Sequence, residues 1–70
     1  MRYSIINTEM GEEHGFNPKH HRLAKNGTLM VVNENELRKV NPDIEEAARI
    51  LGGRVLQHGE VINELNKLKA

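Results

Sequence analysis

The side chains best suited to binding a metal are four histidines: His14, His20, His21 and His58. A structural zinc site needs four tetrahedral ligands, which commonly come as two close pairs. Adjacent histidines on a strand point to opposite faces, so His20 and His21 would not chelate one ion together. We therefore expect no metal and no cofactor. The spacing therefore argues against a site; the alternative is that a loop brings His14, His20 and His21 together near Glu12 or Glu13 as zinc ligands.

The groups that could support catalysis are scattered along the chain. Ser4 is the only serine and lies in a predicted strand, and Asp43 is the only aspartate, at a predicted helix start. The pair Gly52-Gly53 is not a phosphate loop, because no Gly-Lys-Ser/Thr follows it. Glu60 and Glu64 lie one helical turn apart, as expected for a solvated helix face. There is no cysteine nucleophile, and we expect a protein that is not an enzyme.

A basic segment is the main sign of nucleic-acid binding. No acidic residue occurs between His14 and Asn33. The candidate contacts are one aromatic ring and four cations: Phe16, Lys19, Arg22, Lys25 and Arg54. Because four cations can contact only a few phosphates, any binding would be weak. The alternative interpretation of region 19–25 is a solvated hairpin edge that its charges protect from pairing.

Local patterns predict a strand and a short helix at the N-terminus. Residues 2–7 are short and rich in β-branched and aromatic side chains, as strands are. Thr8 is a candidate cap for a helix over residues 9–14, and Gly15 offers a left-handed stop.

The dipeptide Asn26-Gly27 between two apolar runs predicts a β-hairpin with a type I′ turn. Counting outward pairs Lys25 with Thr28, Ala24 with Leu29, Leu23 with Met30 and Arg22 with Val31. Apolar residues then occur on both faces of the hairpin. One face must cover the core, and the other is either partly covered by a helix or open to a second subunit. The candidate interaction surface is Leu29, Met30 and Val31.

Two main helices are predicted in the C-terminal half, at about 42–51 and 60–69. Before them, Asn33 with Glu36 forms a capping-box pattern that starts a short helix. Pro42 suits a first helical position, and one apolar stripe follows it: Ile44, Ala47, Ala48 and Leu51. The closing helix would turn its apolar residues inward: Val61, Ile62, Leu65 and Leu68.

The segment 54–58 between these helices is either a strand or a helix. Ala48 and Gly52 match the small residue and glycine of a helix-turn-helix DNA reader, which would extend over 42–68. That interpretation puts polar His58 at a core position and Gly59 in mid-helix. We therefore favour a short strand.

Composition limits the remaining choices. The chain has 70 residues, enough for one domain over 1–70, and 18 of them are Ile, Leu, Val or Phe. So small a core is marginal, and burial through self-association would help it. The net charge is zero, which gives no global attraction to nucleic acid or acidic membranes. No signal-like or membrane-spanning run occurs, so we expect a cytoplasmic protein.

Five short segments follow one another along the chain: Tyr3-Ser4-Ile5-Ile6-Asn7-Thr8-Glu9, His14-Gly15-Phe16, His21-Arg22, Val31-Val32-Asn33-Glu34-Asn35-Glu36 and Leu51-Gly52-Gly53-Arg54-Val55-Leu56. In this order they resemble small uncharacterised proteins of bacterial phages and prophages. The resemblance implies an accessory role in a mobile element, and it implies no activity and no site residue.

The sequence thus predicts a small single domain of the α+β class. Its expected function is that of a non-catalytic accessory or interaction module, which forms a homo-oligomer or binds a protein partner. The alternative is a weak nucleic-acid-binding protein, through the basic hairpin region or through a degenerate helix-turn-helix.

Overall fold

The computed structural model describes residues 1–68, which form one antiparallel sheet and several short helices. In chain order the elements are β1 (Arg2–Asn7), α1 (Thr8–Glu13), a 3-10 helix (Pro18–His20), β2 (Leu23–Ala24), β3 (Leu29–Asn33), α2 (Glu34–Val40), α3 (Ile44–Ile50), β4 (Val55–Gln57) and α4 (His58–Lys67). The four strands lie in the order β2-β3-β1-β4. The predicted α+β class is confirmed.

The central strand β1 pairs with β3 on one side and with β4 on the other. Ile5 lies opposite Val31, and Tyr3 lies opposite Leu56. Paired residues share a face and alternate residues of a strand share a face, so these four side chains lie on the same face of the sheet. Ile6 and its partner Met30 lie on the other face.

The predicted hairpin register is confirmed at both ladder pairs, Leu23 with Met30 and Ala24 with Leu29. The Thr28 N–H donates to the carbonyl oxygen of Lys25 at 3.1 Å and closes the turn. Asn26 and Gly27 have the positive φ angles expected for a type I′ turn, 57° and 85°. Lys25 also has a positive φ of 52°, which ends the extended backbone early. The strand β2 is therefore only two residues long.

The helices α1, α2 and α3 pack on the face of the sheet that contains Ile6 and Met30. The core there consists of side chains from the sheet, the helices and one loop: Ile6, Phe16, Met30, Val32, Leu37, Ile44, Ala47, Ala48 and Leu51. Met30 is fully buried, so the expectation that it contributes to an interaction surface is wrong. Phe16 is also buried in this core, and the expectation that it stacks on nucleic-acid bases is likewise wrong.

Polar side chains fix where the helices begin. The predicted capping box of α2 is present: Asn33 Oδ1 accepts from Glu36 N–H at 2.9 Å, and Glu36 Oε1 accepts from Asn33 N–H at 3.0 Å. The helix α3 begins at Ile44 rather than at Pro42, because Asp43 Oδ1 caps it by accepting from Glu45 N–H at 3.1 Å. Asn7, rather than Thr8, caps α1.

The segment after α3 forms a strand, so a helix-turn-helix over 42–68 is wrong. The strand β4 pairs with β1, with Val55 opposite Ser4. Because these residues are extended, they cannot also form the recognition helix, which is the second helix of a helix-turn-helix. The helix α4 begins at His58, two residues earlier than predicted; its predicted extension to Lys69 lies outside the described residues. Within residues 1–68, no helix has the length and the apolar content needed to cross a membrane.

The helix α4 lies on the sheet face of Tyr3 and Val31, opposite the main core. Val61 is buried there, whereas Leu65 and Leu68 are half-buried. Ile62 was expected to point inward, but it is 51% exposed. Successive helical residues are rotated by about 100°, so Ile62 cannot share the inward direction of Val61.

Candidate functional site

The helix α4 covers its face of the sheet incompletely. Two clefts remain on the side of α4 that faces the β-hairpin. The large hydrophobic residues that are exposed in the described chain are Met1, Met10, Leu23 and Ile62. Ile62 lines one of the clefts beside α4. Leu23 borders the other cleft from β2, but its pairing with Met30 turns its side chain to the opposite face of the sheet. We call the two clefts together the α4–hairpin surface.

The first cleft, which we call the histidine cleft, has a volume of about 410 Å³. Its lining combines apolar, aromatic and polar side chains: Tyr3, His20, His21, Arg22, Val31, Asn33, Glu36, His58, Val61, Ile62 and Leu65. The second cleft, the hairpin groove, has a volume of about 370 Å³ and is lined by residues 22–24, 26–27, Leu65, Asn66 and Leu68. Arg22 and Leu65 line both, so the two clefts adjoin.

Part of the lining of the histidine cleft is apolar. Val31 from the sheet and Val61 and Leu65 from α4 supply apolar walls. At one end, the rings of Tyr3 and His58 lie 5.8 Å apart between centroids, with their planes tilted by 52°. The two rings therefore do not form a parallel slot in which a flat group could be stacked on both sides.

His21 is held by two acceptors, one at each ring nitrogen. Its Nδ1 lies 2.7 Å from the carbonyl oxygen of Asn17, and its Nε2 contacts the carboxylate of Glu36. A neutral imidazole has only one N–H, so the charged form alone can donate to both acceptors. Burial opposes that charge, but the hydrogen bonds that His21 donates to Asn17 and Glu36, together with the carboxylate charge, outweigh burial and raise the pKa of His21 above its usual value.

Glu36 has two partners at once. Its Oε1 accepts the Asn33 N–H of the α2 cap, and its Oε2 contacts His21. The ring of His21 also packs edge-on against Phe16, with centroids 5.9 Å apart. The carboxylate that lines the cleft is therefore already hydrogen-bonded, to His21 and to the backbone of Asn33.

The structure places the histidines differently from the sequence expectation. His20 belongs to the 3-10 helix and His21 follows it, so no strand alternation separates them, and both line the same cleft. His14 caps the end of α1 and donates its N–H to the carbonyl of Gly11 at 3.1 Å. In residues 1–68, no three His, Asp or Glu side chains converge as metal ligands. That the chain binds no metal stays a prediction.

The predicted basic contacts have different surroundings. Lys19, Arg22 and Lys25 are exposed and make no ion pair within residues 1–68. Of these three, only Arg22 lines a cleft. Arg54 differs from them in having a partner: its Nη2 is 3.5 Å from Glu64 Oε1.

The predicted interaction residues of the hairpin are not freely exposed either. Leu29 and Val31 are half-buried on the face that α4 covers. Sequence reasoning missed the roles of Tyr3, His58 and Ile62. The exposure of Ile62 could have been predicted, because a helix that points Val61 inward rotates the next residue away by about 100°.

The other residues considered for chemistry have structural surroundings. The Ser4 hydroxyl is fully buried and has no hydrogen-bond partner among the described residues. Gly53 packs against the same strand, since a Cβ at this position would lie 2.3 Å from the carbonyl oxygen of Ile5. The glycine pair therefore permits a close approach of backbones.

The chain matches no protein-family model, and neither a curated protein nor a solved structure is significantly similar to it. The resemblance to phage and prophage proteins therefore stays a prediction, and the function has to be argued from the surface itself.

Proposed function

We propose that the chain is a non-catalytic interaction module that binds a second copy of itself through the α4–hairpin surface. The observation that carries this proposal is the position of the exposed apolar side chains. Ile62 is 51% exposed on α4 and borders the histidine cleft, whose walls include Val31, Val61 and Leu65. A second surface that covers these side chains would remove them from water, which is favourable by about 25 cal/mol per Å² of apolar area.

The surface is suited to self-pairing because it contains both a protruding and a recessed part. Ile62 is exposed on α4, while Val31 and Leu65, which line the same cleft, are half-buried. In a two-fold dimer, each copy presents the same patch, so the Ile62 of one copy can enter the cleft of the other and receive the partner's in return. The net charge of zero means that no long-range repulsion opposes the encounter.

Light scattering on the purified protein at about 100 μM tests the proposal, since dimers of micromolar affinity are assembled at that concentration. We expect a dimer mass for the unmodified chain and a monomer mass for Ile62→Lys, which leaves a charge in the contact. Met10→Lys is the matched control, because Met10 is also an exposed apolar residue but lies on α1. A monomer mass for the unmodified chain contradicts the proposal.

Weak nucleic-acid binding is a second candidate function, favoured by the three cations Lys19, Arg22 and Lys25, which make no ion pairs in the described chain. Displacing counterions from about three phosphates gives a log–log salt slope near −3. Arg22→Ala should reduce the magnitude of that slope by about one. A titration with labelled duplex and single strand at low salt measures it, and the absence of binding at about 50 μM protein excludes this function.

An accessory role in a mobile genetic element is a proposal supported by the sequence resemblance alone. Self-association and nucleic-acid binding are both compatible with it.

A further inference from the structure

We propose that the histidine cleft is a binding site for a small monocarboxylate with an aliphatic body. All of its side chains belong to one chain. In the dimer proposed above, the partner's Ile62 enters this cleft, so the carboxylate binds the monomer and competes with self-association.

The charge of the ligand follows from the pairing of the groups in the cleft. Glu36, the carboxylate that lines it, is held by His21 and by the Asn33 N–H. Arg22 makes no ion pair within residues 1–68. The cleft therefore contains one unpaired guanidinium, which is suited to a bidentate contact with one carboxylate.

The apolar lining of the cleft indicates the chemistry of the uncharged part of the ligand. Val31, Val61 and Leu65 line the cleft beside Ile62, and such walls favour an apolar group over a sugar or a hydrated one. The tilt of 52° between the rings of Tyr3 and His58 provides no parallel slot for a flat base. An aliphatic chain adapts to these walls better than a planar ring system does.

The size of the cleft sets an upper limit to the ligand. A volume of about 410 Å³ is at the lower end of the range of small-molecule sites, which is about 300–1,000 Å³. Only one guanidinium is present, so a polyphosphate would leave most of its charge without a partner. A medium-length carboxylate such as octanoate satisfies both the limit on size and the limit on charge.

The experiment is a titration of the ¹⁵N-labelled full chain with octanoate up to about 10 mM, which is about tenfold above the expected Kd, followed by amide chemical shifts. A ligand of ten heavy atoms at about −0.4 kcal/mol per atom binds with a Kd of about 1 mM. We expect the saturating shifts to fall on amides of the cleft, in β1, β3 and the start of α4. Shifts confined to other parts of the chain overturn the proposal.

Two comparisons separate the predicted contact with Arg22 from adsorption to apolar surface. Octan-1-ol, which has the same chain without the charge, should bind at least about tenfold more weakly, as should octanoate to Arg22→Gln. Lys25→Gln removes an equal charge from the hairpin outside the cleft and should leave the affinity unchanged. Equal affinities for octanoate and octan-1-ol, or equal losses in the two variants, would show that Arg22 selects no carboxylate. Inorganic phosphate tests for a simple anion site, and binding as tight as that of octanoate would also contradict the proposal.

Discussion

His21 shows how much a single residue depends on neighbours that are distant in sequence. The capping role of Glu36 could be predicted, because its partner Asn33 lies three residues away and the pattern is local. The contact between Glu36 and His21 spans fifteen residues and needs the hairpin and α2 to be placed first. The sequence therefore predicts the cap, whereas the contact of the same carboxylate with the ring of His21 could be seen only in the fold.

The protonation of His21 should make stability depend on pH. Its pKa is raised in the folded state, so the folded chain holds a proton that the unfolded chain releases above about pH 6.5. The stabilisation is fully present below that pH and is lost as the pH rises through the folded pKa. We expect the urea midpoint to fall over that window, measured by circular dichroism between about pH 5.5 and 8.5.

His21→Gln should flatten this part of the pH profile, because the amide cannot release a proton. His14→Gln is the control, since His14 lies exposed at the end of α1. If His21→Gln keeps the slope of the unmodified protein, another group is responsible for it.

Among the elements, local signals predict most of what forms, and long-range pairing decides the rest. The hairpin register follows from Asn26-Gly27, and the stripe of α3 follows from its helical period; both are confirmed. The strand order β2-β3-β1-β4 depends on contacts between distant segments, which no local pattern contains. For the same reason, the sequence left 54–58 open until the pairing of Val55 with Ser4 identified a strand.

Two glycines, one before β4 and one in the first turn of α4, should respond oppositely to alanine. Gly53→Ala would place a Cβ 2.3 Å from the carbonyl oxygen of Ile5, so β1 and the segment before β4 must move apart, at a cost of about 1–3 kcal/mol. Gly59 lies in α4 with nothing within 4 Å of an added Cβ, and Gly59→Ala should stabilise by up to about 1 kcal/mol. Urea unfolding of both variants measures these changes. A tolerated Gly53→Ala would show that the two backbones do not approach this closely.

At the scale of the whole molecule, a single copy already has an ordinary amount of exposed surface. Its accessible surface is 4466 Å², close to the roughly 4,450 Å² expected for a compact monomer of 8.0 kDa. A partner is therefore not needed to cover an excess of surface. A marginal core favours self-association without indicating where it occurs, whereas the exposed Ile62 on α4 indicates a specific place for the contact.

Self-association through that place should make thermal stability depend on protein concentration. If the dimer is the form that unfolds, mass action stabilises it by about 1.4 kcal/mol for each tenfold rise in concentration, which corresponds to a rise in Tm of several degrees for so small a domain. We expect this rise in calorimetry or circular dichroism between about 5 and 500 μM. Ile62→Lys should have a Tm that is independent of concentration, while Met10→Lys should behave like the unmodified chain. A concentration-independent Tm in the unmodified chain, together with a monomer mass, would leave the exposed Ile62 without a role in assembly.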